Sequence, residues 1–233
     1  MSAIVTKSSV DRATVLIRNK ILDLSLRPGQ PVSYQYLVEN LQLSRTPIRE
    51  ALSRLTTEGL VIQETNKGVT VAPLDVREIF ELMDAYTVAL RIAGHHCKFS
   101  DDLLADVIEM QEKQIQALKI HDVLEGSYWS AKIKSRIMAT SDNHYLSMFH
   151  QIMMSHAQRL ICLVFSVESK DPVFFDKQVN ELQQRLNSEL LEAIEKRDNV
   201  TLTSTLTEQA QVFRSRMGNL FMRQELSEFI VSS

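Results

Sequence analysis

From residue 75 onward, apolar side chains recur every three or four positions, a spacing that leaves a chain little choice but to fold as packed helices. Ile79, Phe80, Met83, Leu90 and Ala93 form one stripe, and Leu104, Val107, Ile108, Ile115 and Leu118 a second. A third helical region runs from Tyr128 to Ala139. A fourth follows Asn143, carrying Leu146, Phe149, Ile152, Met153, Leu160 and Leu163. Val179, Leu182, Leu186, Leu190 and Ile194 mark a fifth, which stops near Lys196 to Asn199. Leu202, Leu206, Ala210, Phe213, Met217 and Leu220 mark the last. With only 6 Gly and 5 Pro in 233 residues, few breakers interrupt these stripes. No heptad is sustained, so a globular bundle is expected rather than a coiled coil.

The N-terminal part follows a different grammar: helix, turn, helix, tight turn, helix, hairpin. Val15, Ile17, Ile21, Leu22 and Leu24 predict a first helix that stops at the Arg27–Pro31 punctuation. Ser33 can cap a second helix through Leu41, with Leu37, Val38 and Leu41 inward. Thr46 can cap a third, with Pro47 at its first position. Ile48, Ala51, Leu52 and Leu55 give it one buried face, and Gly59 a stop. Two short β-prone runs, "LVIQE" and "VTVA", flank "TNKG" as a hairpin. The expected fold is therefore mostly α, an N-terminal winged helix-turn-helix over residues 1–73 followed by an all-helical bundle over 74–233.

Charge is distributed unevenly between these parts. Residues 1–73 hold nine Lys or Arg against six Asp or Glu, while the remainder is acidic. A basic head on an acidic body suits a polyanionic partner at the head alone. The longest apolar run, such as Leu160 to Phe165, is far short of the ~20 residues that cross a bilayer. The N-terminus shows no secretory pattern, so a cytoplasmic protein without membrane contact is expected. Cys97 and Cys162 suit neither a disulfide framework nor a metal cluster. No nucleophile elbow, phosphate-cradling Gly-rich loop, HExxH or CxxC is present, and an enzyme is not expected.

The third helix raises the sharpest functional question. Arg49 lies about 100° around from Ile48, Ser53 continues that edge, and Arg45 sits with Thr46 at the N-terminal end. Glu50 and Arg54, four apart, can pair with each other. Two unpaired arginines on a helix edge can simply be solvated. In a winged helix-turn-helix they instead occupy the place where a recognition helix meets guanine edges in the major groove. Its free N-terminal N–H groups meet phosphate. Lys67 and Gly68 at the hairpin tip would add a wing contact.

The stretch from Leu26 to Leu74, with its "SRTPIREAL" core followed by "EGL" and a wing, resembles the DNA-binding domain of the GntR family of bacterial transcriptional regulators. The helical remainder resembles the effector domain of the FadR-type subfamily, known as FCD, to about residue 215. The resemblance implies a dimer on a double-stranded operator. It assigns DNA contacts to Ser44, Arg45, Thr46 and Arg49, with Asn66, Lys67 and Gly68 on the wing. One departure is Gln35, where many relatives carry Arg.

Many FCD-like domains hold a divalent metal with one Asp and three His. Aligned on Asn143 and Asp198, those positions here hold Ser130, Lys134, Asn187 and Gln209. None is a good divalent-metal ligand, and Lys134 would put a cation where the metal sits. No metal and no other cofactor is therefore expected. No two of the six histidines have the i, i+3 or i, i+4 spacing that gives one helix two ligands. Two readings of Lys134 stay open. Its ammonium, with Ser130, Asn187 and Gln209, receives an organic acid directly, or it snorkels to the surface. Tyr86 and Leu90 replace an Arg and a Glu common in relatives. Arg91 and Arg159 are either anion contacts or, as expected here, partners in surface ion pairs.

Overall fold

The computed structural model describes residues 8–64, 68–171 and 181–226. Backbone contacts divide the chain into two compact units, parted between Asp75 and Val76.

The first unit starts with helix α1 (Ser9–Leu22), α2 (Tyr34–Leu41) and α3 (Arg45–Thr57). Ser8 and Asp11 cap α1 reciprocally, each side chain accepting from the other's backbone N–H. The helix ends at Leu22, not Leu24, because Leu24 turns to a left-handed φ of 63° and Leu26 is buried in its stead. Val15, expected inward, is exposed. Ser33 caps α2 by accepting from the Tyr36 N–H, as its position predicted. Helix α3 starts two residues earlier than expected. Ser44 is its N-cap residue and Arg45 its first helical residue, so Pro47 is third rather than first. The first-turn N–H groups have no intrahelical acceptor, so a proline is tolerated there and helix propagation runs past it.

Three strands complete the unit: β1 (Pro31–Val32), β2 (Val61–Glu64) and β3 (Gly68–Val71). The β2–β3 hairpin pairs antiparallel from Val61 with Val71 to Glu64 with Gly68. Sequence periodicity had no way to resolve β1, which is two residues long beside Pro31; it pairs antiparallel with β3 through Val32 and Val69. Beneath the sheet, Ile17, Ile21, Leu37, Ile48, Leu52, Leu55 and Val71 form one core. Each such side chain contributes about 1.5–3 kcal/mol by leaving water.

The second unit is all helix among its described residues: α4 (Val76–His95), α5 (Asp101–Lys119), α6 (Val123–Ala139), α7 (His144–Glu168), α8 (Glu181–Glu195) and α9 (Asn199–Met222). Asn143 and Asp198 cap α7 and α9. Asp122 caps α6, which begins at Val123, five residues before the expected Tyr128, since an acceptor for the Glu125 N–H lets the helix begin there. Two expected core residues, Ile108 and Ile152, face solvent. In both helices other apolar residues at helical spacing fill the buried face, so these two fall outside it. Val179 lies outside the described residues.

Candidate nucleic-acid interface and effector cavity

In the N-terminal unit the third helix presents a bare cationic edge. Ser44, Arg45, Thr46 and Arg49 are all exposed, and Ser44 makes no side-chain capping hydrogen bond, leaving its hydroxyl available. Because α3 begins at Arg45, Arg45 and Arg49 stand one turn apart on the same edge. Neither makes an ion pair among the described residues. Their neighbour Arg54 does, though not with Glu50 as expected. It reaches Asp11 Oδ1 on α1 at 2.7 Å, because the packing of α1 on α3 brings a second carboxylate within reach. That bond, aided by Ser8, holds the Asp11 carboxyl below its usual range. Arg18 likewise pairs with Glu58 at 2.6 Å. These two pairs withdraw Arg18 and Arg54 from the surface charge available to a polyanion. Gly68 opens β3 with φ 89°, a backbone state that a side chain disfavours. Asn66 and Lys67 lie outside the described residues.

In the helical unit Ser130, Lys134 and Gln209 come together in the wall of one cavity of about 40 Å3. Tyr86, Ile161, Phe165, Leu186, Phe213 and Arg216 supply most of the rest. Lys134 is buried, and its Nζ donates to the Ser130 carbonyl at 3.3 Å and to Ser130 Oγ at 3.1 Å. Among the described residues it has no carboxylate partner. Burial without a counter-charge pushes its pKa down from 10.5 to about 8, so most of the population is still charged at neutral pH. Gln209 Oε1 is buried and accepts no hydrogen bond from the described residues. Asn187 is buried but is not part of the cavity wall. Its Nδ2 donates to Gln114 Oε1 at 3.1 Å, its Oδ1 accepts from Gln183 Nε2 at 2.8 Å, and its carbonyl accepts from Gln111 Nε2. Local amides thus consume the hydrogen-bonding capacity that the sequence offered to a ligand.

The N-terminal unit coincides with a sequence profile described as "Bacterial regulatory proteins, gntR family", which matches residues 9–71. The chain is 30% identical over 119 residues to an HTH-type transcriptional regulator of Agrobacterium vitis from the TAR-I ttuE-ttuC' intergenic region, covering 49% of this chain and 70% of that one. The chain belongs to the gntR family. A shorter stretch of 58 residues is 43% identical to the Nta operon transcriptional regulator of Aminobacter aminovorans, spanning 25% of this chain and 28% of that protein. The E. coli McbR/YncC structure shares the fold, with a TM-score of 0.71 at 20% identity over 93% of this chain and 99% of that one. As a gntR-family protein the chain is a DNA-binding transcriptional regulator.

For a gntR-family chain the metal that FCD-like domains imply has no fitting donors here. The four positions hold a hydroxyl, an ammonium and two amides, and an ammonium repels a divalent cation. Among the described residues no group of three or more His, Cys, Asp or Glu side chains could hold a metal. No described helix is long and apolar enough to cross a membrane. Arg159, expected at the surface, is buried, and burial pushes its pKa down to about 10. Arg91 is exposed.

Sequence reasoning missed two residues near the cavity. Arg216 lines it while bonded to buried Glu168, and nothing in its spacing marked it. His150 is buried with neither ring nitrogen bonded among the described residues. Burial, with the charge of Lys134, pushes its pKa down to about 4. The signal for His150 was available: it precedes Met154 by one turn, in line with Ala157 and Ile161 on the buried face of α7.

Proposed function

We propose that this chain is a ligand-responsive gntR-family regulator of the FadR type, acting in the cytoplasm as a homodimer rather than as an enzyme. Residues 1–73 bind a double-stranded operator and residues 74–233 bind an organic acid and dimerise. Arg45 and Arg49 read base edges in the major groove, Ser44 and Thr46 hold phosphate at the start of α3, and Asn66, Lys67 and Gly68 form the wing contact. Ser130, Lys134 and Gln209 receive the acid, with Asn187 holding the amide layer behind them.

One observation carries the ligand half of this reading: a buried ammonium, without a carboxylate partner among the described residues, in the wall of a cavity. An uncompensated buried charge is costly, and an anionic ligand offsets that cost. Dimerisation is supported by Tyr145, Met148 and Ile152, exposed at spacings of three and four along α7. A twofold dimer would cover such a stripe and match two operator half-sites. Binding shifts a population of DNA-competent states in proportion to the ligand's preference among them.

The test is a gel shift on the DNA flanking the gene, with small carboxylates titrated against parent and Lys134→Ala protein. A carboxylate that alters DNA affinity in the parent and not in Lys134→Ala supports the reading. Equal responses would sink the ligand assignment and leave a constitutive dimeric DNA-binding protein. Unchanged DNA binding in Arg45→Ala/Arg49→Ala would sink the recognition-helix assignment.

A further inference from the structure

The chemical class of the ligand follows from charge and hydrogen-bond accounting around the cavity, and it rests on the reading of Lys134 as the anion receptor. Two cations line the cavity, Lys134 and Arg216. Arg216 is already neutralised. Its Nε donates to Glu168 Oε1 at 3.0 Å and Oε2 at 3.1 Å, and its Nη2 also bonds Oε2. Its guanidinium lies over the Phe165 ring, 4.8 Å from the centroid, which holds it against that wall. Among the described residues Lys134 has only the two neutral oxygens of Ser130 as partners. The wall therefore offers one uncompensated positive charge.

The hydrogen-bond account adds a second requirement. Gln209 Oε1 is buried and has no donor among the described residues. Gln183, the other amide in the wall, is engaged with Asn187. A bound ligand that brings a donor to Gln209 satisfies an acceptor that otherwise costs free energy. Size is the third requirement. At 10–15 Å3 for each water-sized group, about 40 Å3 holds roughly three such groups. Ile161, Leu186 and Phe213 add hydrocarbon to the remaining wall, and Tyr86 adds a neutral phenol, so these residues offer no cation to a second negative charge.

We propose that the cavity takes a short-chain hydroxymonocarboxylate, its carboxylate on the Lys134 ammonium and its hydroxyl donating to Gln209 Oε1. A dicarboxylate of similar size would bury a second negative charge with no free cation in the described wall to meet it. A plain monocarboxylate would satisfy Lys134 but leave Gln209 orphaned. Gln209 is thus the specificity-determining residue of the site.

Calorimetric titration of the full chain with glycolate, acetate and malonate tests this, in the parent and in Lys134→Met and Gln209→Leu. Glycolate is expected to bind about 10-fold more tightly than acetate, the factor one satisfied buried hydrogen bond supplies. Malonate is expected to bind more weakly than either. Gln209→Leu should bring glycolate down to the level of acetate, and Lys134→Met should abolish both. Gln209→Glu, which supplies an internal carboxylate, should exclude all three while the protein stays folded by circular dichroism. If malonate binds best, or glycolate and acetate bind alike, with Lys134 dependence intact, the hydroxyacid class is wrong and the anion receptor stands. If the parent and Lys134→Met bind all three alike, or neither binds any, the receptor reading falls and the class with it.

Discussion

Gly94 on α4 lies directly against Thr203 on α9: a Cβ at residue 94 would come within 2.7 Å of the Thr203 Cα and of its Oγ1. The two helices meet backbone to backbone there, and Asn199 ties the same junction by donating to the Gly94 and Cys97 carbonyls at 2.8 and 3.0 Å. Gly94→Ala would force the helices apart, costing about 1–3 kcal/mol. Gly218, with nothing within 4 Å of its would-be Cβ, is the control. Gly218→Ala should stabilise by about 0.5–1 kcal/mol through helix propensity alone. Urea unfolding of the two variants reads both signs.

Lys134 makes stability depend on alkaline pH in an unusual direction. Its folded pKa, about 8, lies below the 10.5 of an unfolded lysine, so in that window the unfolded chain holds a proton that the folded chain has released. Stability should therefore rise with pH from about 8 towards 10.5, by an amount on the order of 3 kcal/mol from this group. Lys134→Met should remove that rise and be more stable than the parent at neutral pH without ligand. Chemical denaturation of both proteins across the window measures it.

His150 predicts the acid limb. Burial first, and the Lys134 charge second, hold its folded pKa near 4 against an ordinary 6.5. Between those values the unfolded chain binds the extra proton, so stability falls as pH drops from 6.5 towards 4. His150→Gln should flatten that fall, measured by melting temperature against pH.

Arg49 and Arg54 should separate in DNA binding although both are arginines of α3. Arg54 is held by Asp11, whereas Arg49 has no ion pair among the described residues. Arg49→Ala is expected to cost about 1–3 kcal/mol of specific affinity. Arg54→Ala should leave specific affinity near that of the parent. Electrophoretic titrations on operator and scrambled DNA distinguish the two.

Much of this was legible from residue order because it depends on neighbours along the chain. Helical periodicity marked α1 through α9, and Ser33 announced a cap whose bond spans three residues. The placing of Arg45 and Arg49 on one exposed helix edge was legible because helical spacing is local. Contacts between distant segments were not legible in that way. Arg54 preferred Asp11 to Glu50 across 43 positions, and β1 exists only because β3 folds back beside it. Lys134 is the clearest case. Its sequence position within a helical stretch fitted both a solvated side chain and a buried receptor. Only the packing of helices around α6 buried its ammonium away from any carboxylate of the described residues, and the same packing turned Asn187 to other amides while leaving Gln209 Oε1 without a donor among them. Residue order determined which helices form and which edge of one is cationic, since those follow from short-range geometry. Tertiary structure decided which polar groups are desolvated and which are satisfied, because that depends on everything packed around them.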